Sequence, residues 1–260
     1  MDEAPVITRQ AAPGVVVVSL NRPQALNALN TAMGAALLKV WQDLVRDADL
    51  RCVVMTGEGR AFCAGAELKE RNGMTDAAWA EQHVLFEDMT AAQLAVPVPI
   101  LAAVHGPAMG GGCEMALACD FTWAADNVRF GLPEARLGIM PGLGGPGLLV
   151  RAIGERAALE IMTSGRPVLA DEALALGLVT RICPVETLLD QALELANQIA
   201  TAAPLSVKAL KRVVRAGHSM PLTEAMALEL NEYNRLFRSA DRLEGIGAFN
   251  ERRAPQFRGV

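Results

Sequence analysis

An α/β fold with mainly parallel strand pairing is the class this chain predicts, and three observations carry it. Short runs that are apolar on both faces recur through the first two-thirds, helix-period stretches separate them, and strand signals stop at about residue 185. Strands buried on both faces and joined through helices pair in parallel. A length of 260 residues suits one large domain, or one domain with a small appendage, and 52% apolar residues exclude global disorder.

The elements follow in order. Val15-Val16-Val17-Val18-Ser19-Leu20 is a β-branched run bounded by Gly14 and by Asn21-Arg22-Pro23, the mark of a strand. Met33, Leu37, Leu38, Trp41 and Val45 recur at helical spacing and predict a helix from Thr31 to Arg46. Cys52-Val53-Val54-Met55-Thr56 reads as a second strand, closed by Gly57-Glu58-Gly59. Ile100-Leu101-Ala102-Ala103-Val104 reads as a third, closed by His105-Gly106-Pro107. Met115-Ala116-Leu117-Ala118-Cys119 predicts a helix beginning in or just after a triple glycine. Phe121-Thr122-Trp123-Ala124, Val128-Arg129-Phe130 and Leu178-Val179-Thr180-Arg181-Ile182 complete the strands. Leu188, Leu189, Ala192, Leu195, Ala196 and Ile199 then outline an amphipathic helix, and helical pattern continues over 206–215 and 222–237. Residues 1–200 are expected to form the core and 201–260 a helical C-terminal region, with Ala202-Ala203-Pro204 as the joint.

Bulk properties narrow the function. A net charge of −5 and a pI near 5.3 argue against a nucleic-acid or anionic-membrane surface. The densest basic cluster, Lys208, Lys211, Arg212 and Arg215, reads as a solvated helix face. Five cysteines without a Cys-x-x-Cys pair, mostly inside apolar runs, read as reduced, buried thiols. Three scattered histidines support neither a histidine metal centre nor a local Ser-His-Asp signature. The acidic start Met1-Asp2-Glu3-Ala4-Pro5 lacks the order of a signal peptide, and the longest apolar run, 94–104, is interrupted by Pro97 and Pro99. A cytoplasmic protein without a membrane partner is expected.

Chemistry concentrates in two segments, Gly110-Gly111-Gly112-Cys113-Glu114 and Phe130-Gly131-Leu132-Pro133-Glu134. Each ends in a glutamate after small, turn-forming residues in apolar sequence. Such a carboxylate loses solvation and its pKa rises, and two in one dry pocket divide the work of acid and base. The plainer readings are a capping role for Glu114 and an exposed ion pair for Glu134. The triple glycine between strand and helix suits a phosphate or a developing oxyanion, because free N–H groups and the helix dipole point at the ligand. Tight helix packing explains it equally well. Neither Gly-x-Gly-x-x-Gly after the first strand nor Gly-Lys-Ser/Thr after the triple glycine is present, so nucleotide hydrolysis and hydride transfer lose support. A second small-residue turn, Ala61-Phe62-Cys63-Ala64-Gly65-Ala66-Glu67-Leu68-Lys69, offers further backbone donors, and Lys69 stands where an anionic group could be met. An ordinary strand-to-helix loop with an exposed lysine is the plainer reading there.

Taken together, these segments resemble the crotonase family, the enoyl-CoA hydratase/isomerase superfamily. The likeness also takes in Leu20-Asn21-Arg22-Pro23, Ala25-Leu26-Asn27-Ala28-Leu29, Leu137-Gly138-Ile139-Met140-Pro141-Gly142 and Ala248-Phe249-Asn250-Glu251-Arg252-Arg253, in the family's order. The resemblance implies a spiral of β-β-α units followed by a helical trimerisation region, in a trimer or a dimer of trimers. It implies an oxyanion hole for an acyl-CoA thioester from the N–H groups of Ala66 and Gly111. It also implies CoA-site lining by Ala64, Ala66, Glu67, Leu68 and Lys69, and a catalytic pair, Glu114 and Glu134. In that assignment Glu114 activates the water that adds at C3 and Glu134 supplies the proton at C2. No metal or separate cofactor is implied, since coenzyme A enters with the substrate.

Retention of both glutamates points to hydration of a trans-2-enoyl-CoA rather than to an isomerase. The segment Glu67-Leu68-Lys69-Glu70-Arg71 is also similar to that of methylglutaconyl-CoA hydratases, some of which bind RNA through a lysine-rich helix. The matching helix here carries only Lys39 and Arg46. The runner-up among enzymes is an enoyl-CoA isomerase or a hydratase of a branched, methylglutaconyl-type or dicarboxylic enoyl-CoA, and a non-catalytic acyl-CoA- or RNA-binding protein of the same fold is the alternative from another class. Pro146-Gly147 departs from the Thr-Gln usual in the family, beside the acyl pocket.

Overall fold

The computed structural model describes residues 4–260, and Met1, Asp2 and Glu3 of the acidic start lie outside them. In chain order the elements are β1 (Val6–Ala12), β2 (Val15–Leu20), α1 (Thr31–Arg46), β3 (Cys52–Gly57), α2 (Leu68–Arg71), α3 (Asp76–Ala95), β4 (Ile100–Val104), β5 (Pro107–Met109), α4 (Gly111–Ala118), β6 (Phe121–Ala125) and β7 (Arg129–Gly131). They continue with α5 (Gly145–Ile153), α6 (Glu155–Ser164), β8 (Val168–Leu169), α7 (Ala170–Leu176), β9 (Arg181–Cys183), α8 (Leu188–Ala200), α9 (Pro204–Gly217), α10 (Leu222–Leu236) and α11 (Ala240–Glu251).

The main sheet has the order β1-β2-β3-β4-β6-β9. Its inner strands pair in parallel, as expected, from Val15 opposite Cys52 through to Ala125 opposite Cys183. The edge strand β1 was not anticipated. It pairs antiparallel with β2 and carries exposed Thr8, Arg9 and Gln10, so it lacks the apolar run that marks a buried strand. β5, β7 and β8 make a second, three-stranded sheet.

Both faces of the main sheet are covered. On one, Met33, Leu37 and Trp41 of α1 and Phe86 and Met89 of α3 pack over Val53, Met55 and Ala102. On the other, Leu188, Ala192 and Ala196 of α8 pack over Val15, Val54 and Leu101. Side chains that alternate across a strand therefore serve two cores, which is why β3 and β4 are buried at every position. Helix starts are capped where the sequence supplies a cap: Asn30 Oδ1 accepts from Met33 N at 3.0 Å and Thr75 Oγ1 from Ala78 N at 3.2 Å. All five cysteines are buried and free. Among the described residues no helix is long and apolar enough to cross a membrane.

Three expectations need correction. The helix α3 is absent from the sequence reading, because its buried positions include Gln82, Thr90 and Gln93, and those polar residues break the apolar period. The last strand runs over Arg181–Cys183 rather than 178–182, since Leu178 and Val179 are used in packing α7 against the core. The basic cluster on α9 is not simply a solvated face. Lys211 Nζ and Arg215 Nε each lie 2.7 Å from the Asp120 carboxylate, and the Lys211 side chain is only 8% exposed. Arg212 pairs with Glu232 of α10 at 2.7 Å. These contacts tie α9 to the end of α4 and to α10. The faces of α10 and α11 away from the core present Leu222, Met226, Leu230, Tyr233, Leu243 and Phe249, each more than half exposed.

Candidate active site

Two turns meet to build the site. The first follows β3 and is fixed by the buried Asn27, whose side-chain amide donates to Glu58 O at 2.9 Å and Ala61 O at 2.8 Å. It is then laced to β5 by Cys63 N donating to Pro107 O at 3.0 Å and Met109 N donating to Cys63 O at 2.9 Å. The second turn is Gly110, at φ +50, which leads straight into α4. A Cβ on Gly65, at φ +96, would lie 2.8 Å from Met109 O and 3.7 Å from Gly110 Cα, so glycine is required for the turns to touch. At this junction the N–H of Ala66 and the N–H of Gly111 take no acceptor among the described residues. Gly111 is the first residue of α4, where N–H groups lack intrahelical partners and the dipole is positive.

Beside this junction lies a cavity of about 620 Å³, lined by the two turns, by Arg71, Trp79, His83 and Phe86 from α2 and α3, and by the segment 133–143. Glu114 and Glu134 both reach it, at 2% and 9% exposure. That disposes of the plainer readings, in which Glu114 caps a helix and Glu134 forms an exposed pair. The two carboxylates are held differently. Glu114 Oε1 accepts Leu143 N at 2.7 Å and Gly145 N at 2.8 Å, both from outside its own helix. Burial raises its pKa, while those amides, Gly142 N and His83 oppose the rise. Glu134 opens a short 3-10 turn, and its Oε2 has no hydrogen-bond partner among the described residues. Burial pushes it up to about 7, with Glu114 adding to the rise and its own N–H and Arg71 opposing it. Two carboxylates thus sit in one pocket, both raised by burial, with backbone amides opposing the rise at Glu114 and Glu134 pushed up to about 7.

Of the residues singled out in the sequence, Ala64, Ala66, Leu68, Gly111, Glu114 and Glu134 line this one cavity. Glu67 and Lys69 do not: Glu67 pairs with Arg22 at 2.7 Å, and Lys69 points to the exposed side of α2. Sequence reasoning missed Arg71, Trp79, His83 and Phe86. The polar stripe inside α3 hides their common face, and the only signal available was Trp79 and Phe86 seven positions apart, two helical turns. Pro146 falls in the first turn of α5, where its missing N–H costs nothing, so the departure at Pro146-Gly147 leaves the helix start intact.

A two-sheet α/β spiral whose paired turns open onto a two-carboxylate cavity is a crotonase-type fold. The chain belongs to the enoyl-CoA hydratase/isomerase family, whose model matches residues 10–260. Its similarity to a probable enoyl-CoA hydratase of Mycobacterium tuberculosis is 39% identity over 244 residues, covering 94% of each chain. A 2,3-dehydroadipyl-CoA hydratase of Escherichia coli is 38% identical over 254 residues, covering 98% of each. Among solved structures, an enoyl-CoA hydratase of Bacillus anthracis superimposes with a TM-score of 0.96 at 37% identity, covering 98% of this chain and 100% of that one.

Proposed function

We propose that this chain adds water across the 2,3 double bond of a trans-2-enoyl-CoA. The observation that carries the reading is the meeting of buried Glu114 and Glu134 with the Ala66 and Gly111 N–H groups in one cavity. The thioester oxygen accepts both N–H groups. Glu114 takes a proton from water as its oxygen bonds to C3, the pair of electrons of the double bond moves toward the thioester as an enolate, and Glu134 gives its proton to C2. The developing charge on the thioester oxygen is what the hole stabilises, and one such donor is worth on the order of 10²–10³ in rate. The family acts on acyl-CoA thioesters, and the relatives named hydratases favour water addition over double-bond migration.

Coenzyme A enters as part of the substrate, and no other cofactor or metal has a part in these steps. We assign residues 1–200 to the catalytic core and 201–260 to assembly as a homotrimer or a dimer of trimers, the exposed apolar faces of α10 and α11 supplying the contact. Net charge and the two basic residues of α1 give no support to a nucleic-acid partner.

The test is loss of enoyl absorbance with crotonyl-CoA, with the product checked for the gain of one water. Glu114→Gln and Glu134→Gln should each slow turnover by about 10²–10⁴. Wild-type rates in both variants would overturn the mechanism. CoA-ester binding without turnover at any chain length would mark a non-catalytic binding protein instead.

A further inference from the structure

Arg71 is a cation in an otherwise largely apolar cavity, and among the described residues no carboxylate pairs with it directly. Its guanidinium lies 4.4 Å from the centroid of the Trp79 ring, and it lines the same cavity as Glu134. Among the described residues its one side-chain hydrogen bond runs from Nε to Gln82 Oε1, at 2.9 Å. Glu70 and Glu134 favour its charge only through space, against the burial that disfavours it.

The group is nonetheless held firmly. Gln82 is 4% exposed, and its side-chain amide donates to Thr31 Oγ1 and to Glu70 Oε2, each at 2.8 Å. Glu70 in turn accepts Thr31 N at 3.0 Å. This chain of contacts fixes Gln82, Gln82 fixes Nε, and Trp79 fixes the plane. What remains is the edge made by the two terminal nitrogens, whose N–H groups take no acceptor among the described residues. A planar pair of parallel donors matches the two oxygens of a carboxylate in bidentate geometry. Burying a cation without a counter-charge is costly, so an anion supplied by the ligand binds with that cost relieved.

We infer that Arg71 selects enoyl-CoA esters whose acyl chain ends in, or branches to, a free carboxylate, which the terminal nitrogens of Arg71 receive as a forked pair. The methylenes of that chain lie along Trp79, Phe86, Leu137, Met140 and Leu143. This inference rests on the reading of the cavity as an acyl-CoA site and deepens it by naming the substrate class.

Binding of saturated esters tests it without requiring turnover. Isothermal titration of the full-length protein would compare matched pairs with and without a terminal carboxylate: glutaryl- with pentanoyl-CoA, adipyl- with hexanoyl-CoA, and suberyl- with octanoyl-CoA. The wild type should prefer the carboxylated partner of at least one pair by tenfold or more. Arg71→Gln should reduce that preference to within about twofold, Arg71→Lys should keep part of it, and Arg71→Met replaces the glutamine variant if that one does not fold. Equal binding within every pair by the wild type, or a preference that survives loss of the cation, would overturn the inference. If the preference appears but neither hex-2-enoyl-CoA nor its carboxylated analogue gains water, the hydratase reading fails while this one stands.

Discussion

Gly145 both donates to Glu114 and leaves room for it. Its N–H lies 2.8 Å from Oε1, and a Cβ built on Gly145 would sit 2.7 Å from that same oxygen. Gly145→Ala should therefore displace the carboxylate while leaving most of the fold untouched. We expect kcat for crotonyl-CoA to fall at least about tenfold, with a stability loss of about 1–2 kcal/mol from the contact with Pro141. Spectrophotometric hydration and a thermal melt separate the two, and an unchanged kcat refutes the expected displacement.

The proton on Glu134 predicts an alkaline limb. The general acid of the proposed mechanism must hold its proton, and Glu134 is lifted from 4.5 to about 7 by burial first and by Glu114 second. In a pH series, kcat/KM should drop above about pH 7, approaching tenfold per unit, because kcat/KM reports the free enzyme. The residual activity of Glu134→Gln should lack this limb.

The same shift acts on stability. The folded state keeps the Glu134 proton to about pH 7 and the unfolded chain only to about 4.5. The resulting stabilisation is complete below the unfolded value and is lost as pH rises through the folded one. Glu134→Gln should accordingly raise Tm relative to wild type at pH 8, equivalent to about 1–3 kcal/mol, and not at pH 4. An equal gain at both values contradicts the assignment.

Asp120 is the anchor of the C-terminal helices. It faces Lys211 and Arg215 at 2.7 Å each, and it accepts Ile100 N at 2.7 Å. Asp120→Ala leaves the Lys211 ammonium buried without a counter-charge, a loss of about 3–5 kcal/mol. Asp120→Asn keeps the hydrogen-bond acceptor and should lose less. Urea unfolding followed by circular dichroism compares them.

The outer face of α10 should govern assembly. Leu222, Met226, Leu230, Tyr233 and Phe237 lie three or four positions apart and are all exposed in the single chain. Leu230→Asp combined with Tyr233→Asp should shift sedimentation from an oligomer to a single chain. An unchanged sedimentation coefficient excludes this face from the interface.

The inner strands and α1 are legible in the sequence because their buried positions are mostly apolar, with Ser19, Thr56 and Thr122 as the polar exceptions in the strands; Met33, Leu37, Trp41 and Leu44 mark one stripe of α1 interrupted by Gly34 alone. The same physics hides α3, whose inward face is half polar and makes specific bonds such as Gln93 Nε2 to Met115 O at 2.9 Å. β5, β7 and β8 are two or three residues long, too short to show a period, although β7 overlaps the strand read at 128–130. At the site, Glu114, Glu134 and the two donor turns stand out because carboxylates and glycines are unusual in apolar sequence. Lys69 attracts notice for its charge alone and turns outward, whereas Arg71, two positions on, turns inward. Only the packing of α2 against α3 decides between them.

Leu143 has two duties: its side chain is part of the cavity wall, and its N–H holds Glu114 Oε1 at 2.7 Å. On the proposed mechanism, the wall that meets the acyl chain is therefore joined to the base that activates water. An acyl chain that displaced Leu143 would also displace the Glu114 carboxylate, and should slow turnover beyond any loss of affinity. Shape would then be sensed in turnover at Leu143, apart from the affinity for a carboxylate inferred for Arg71.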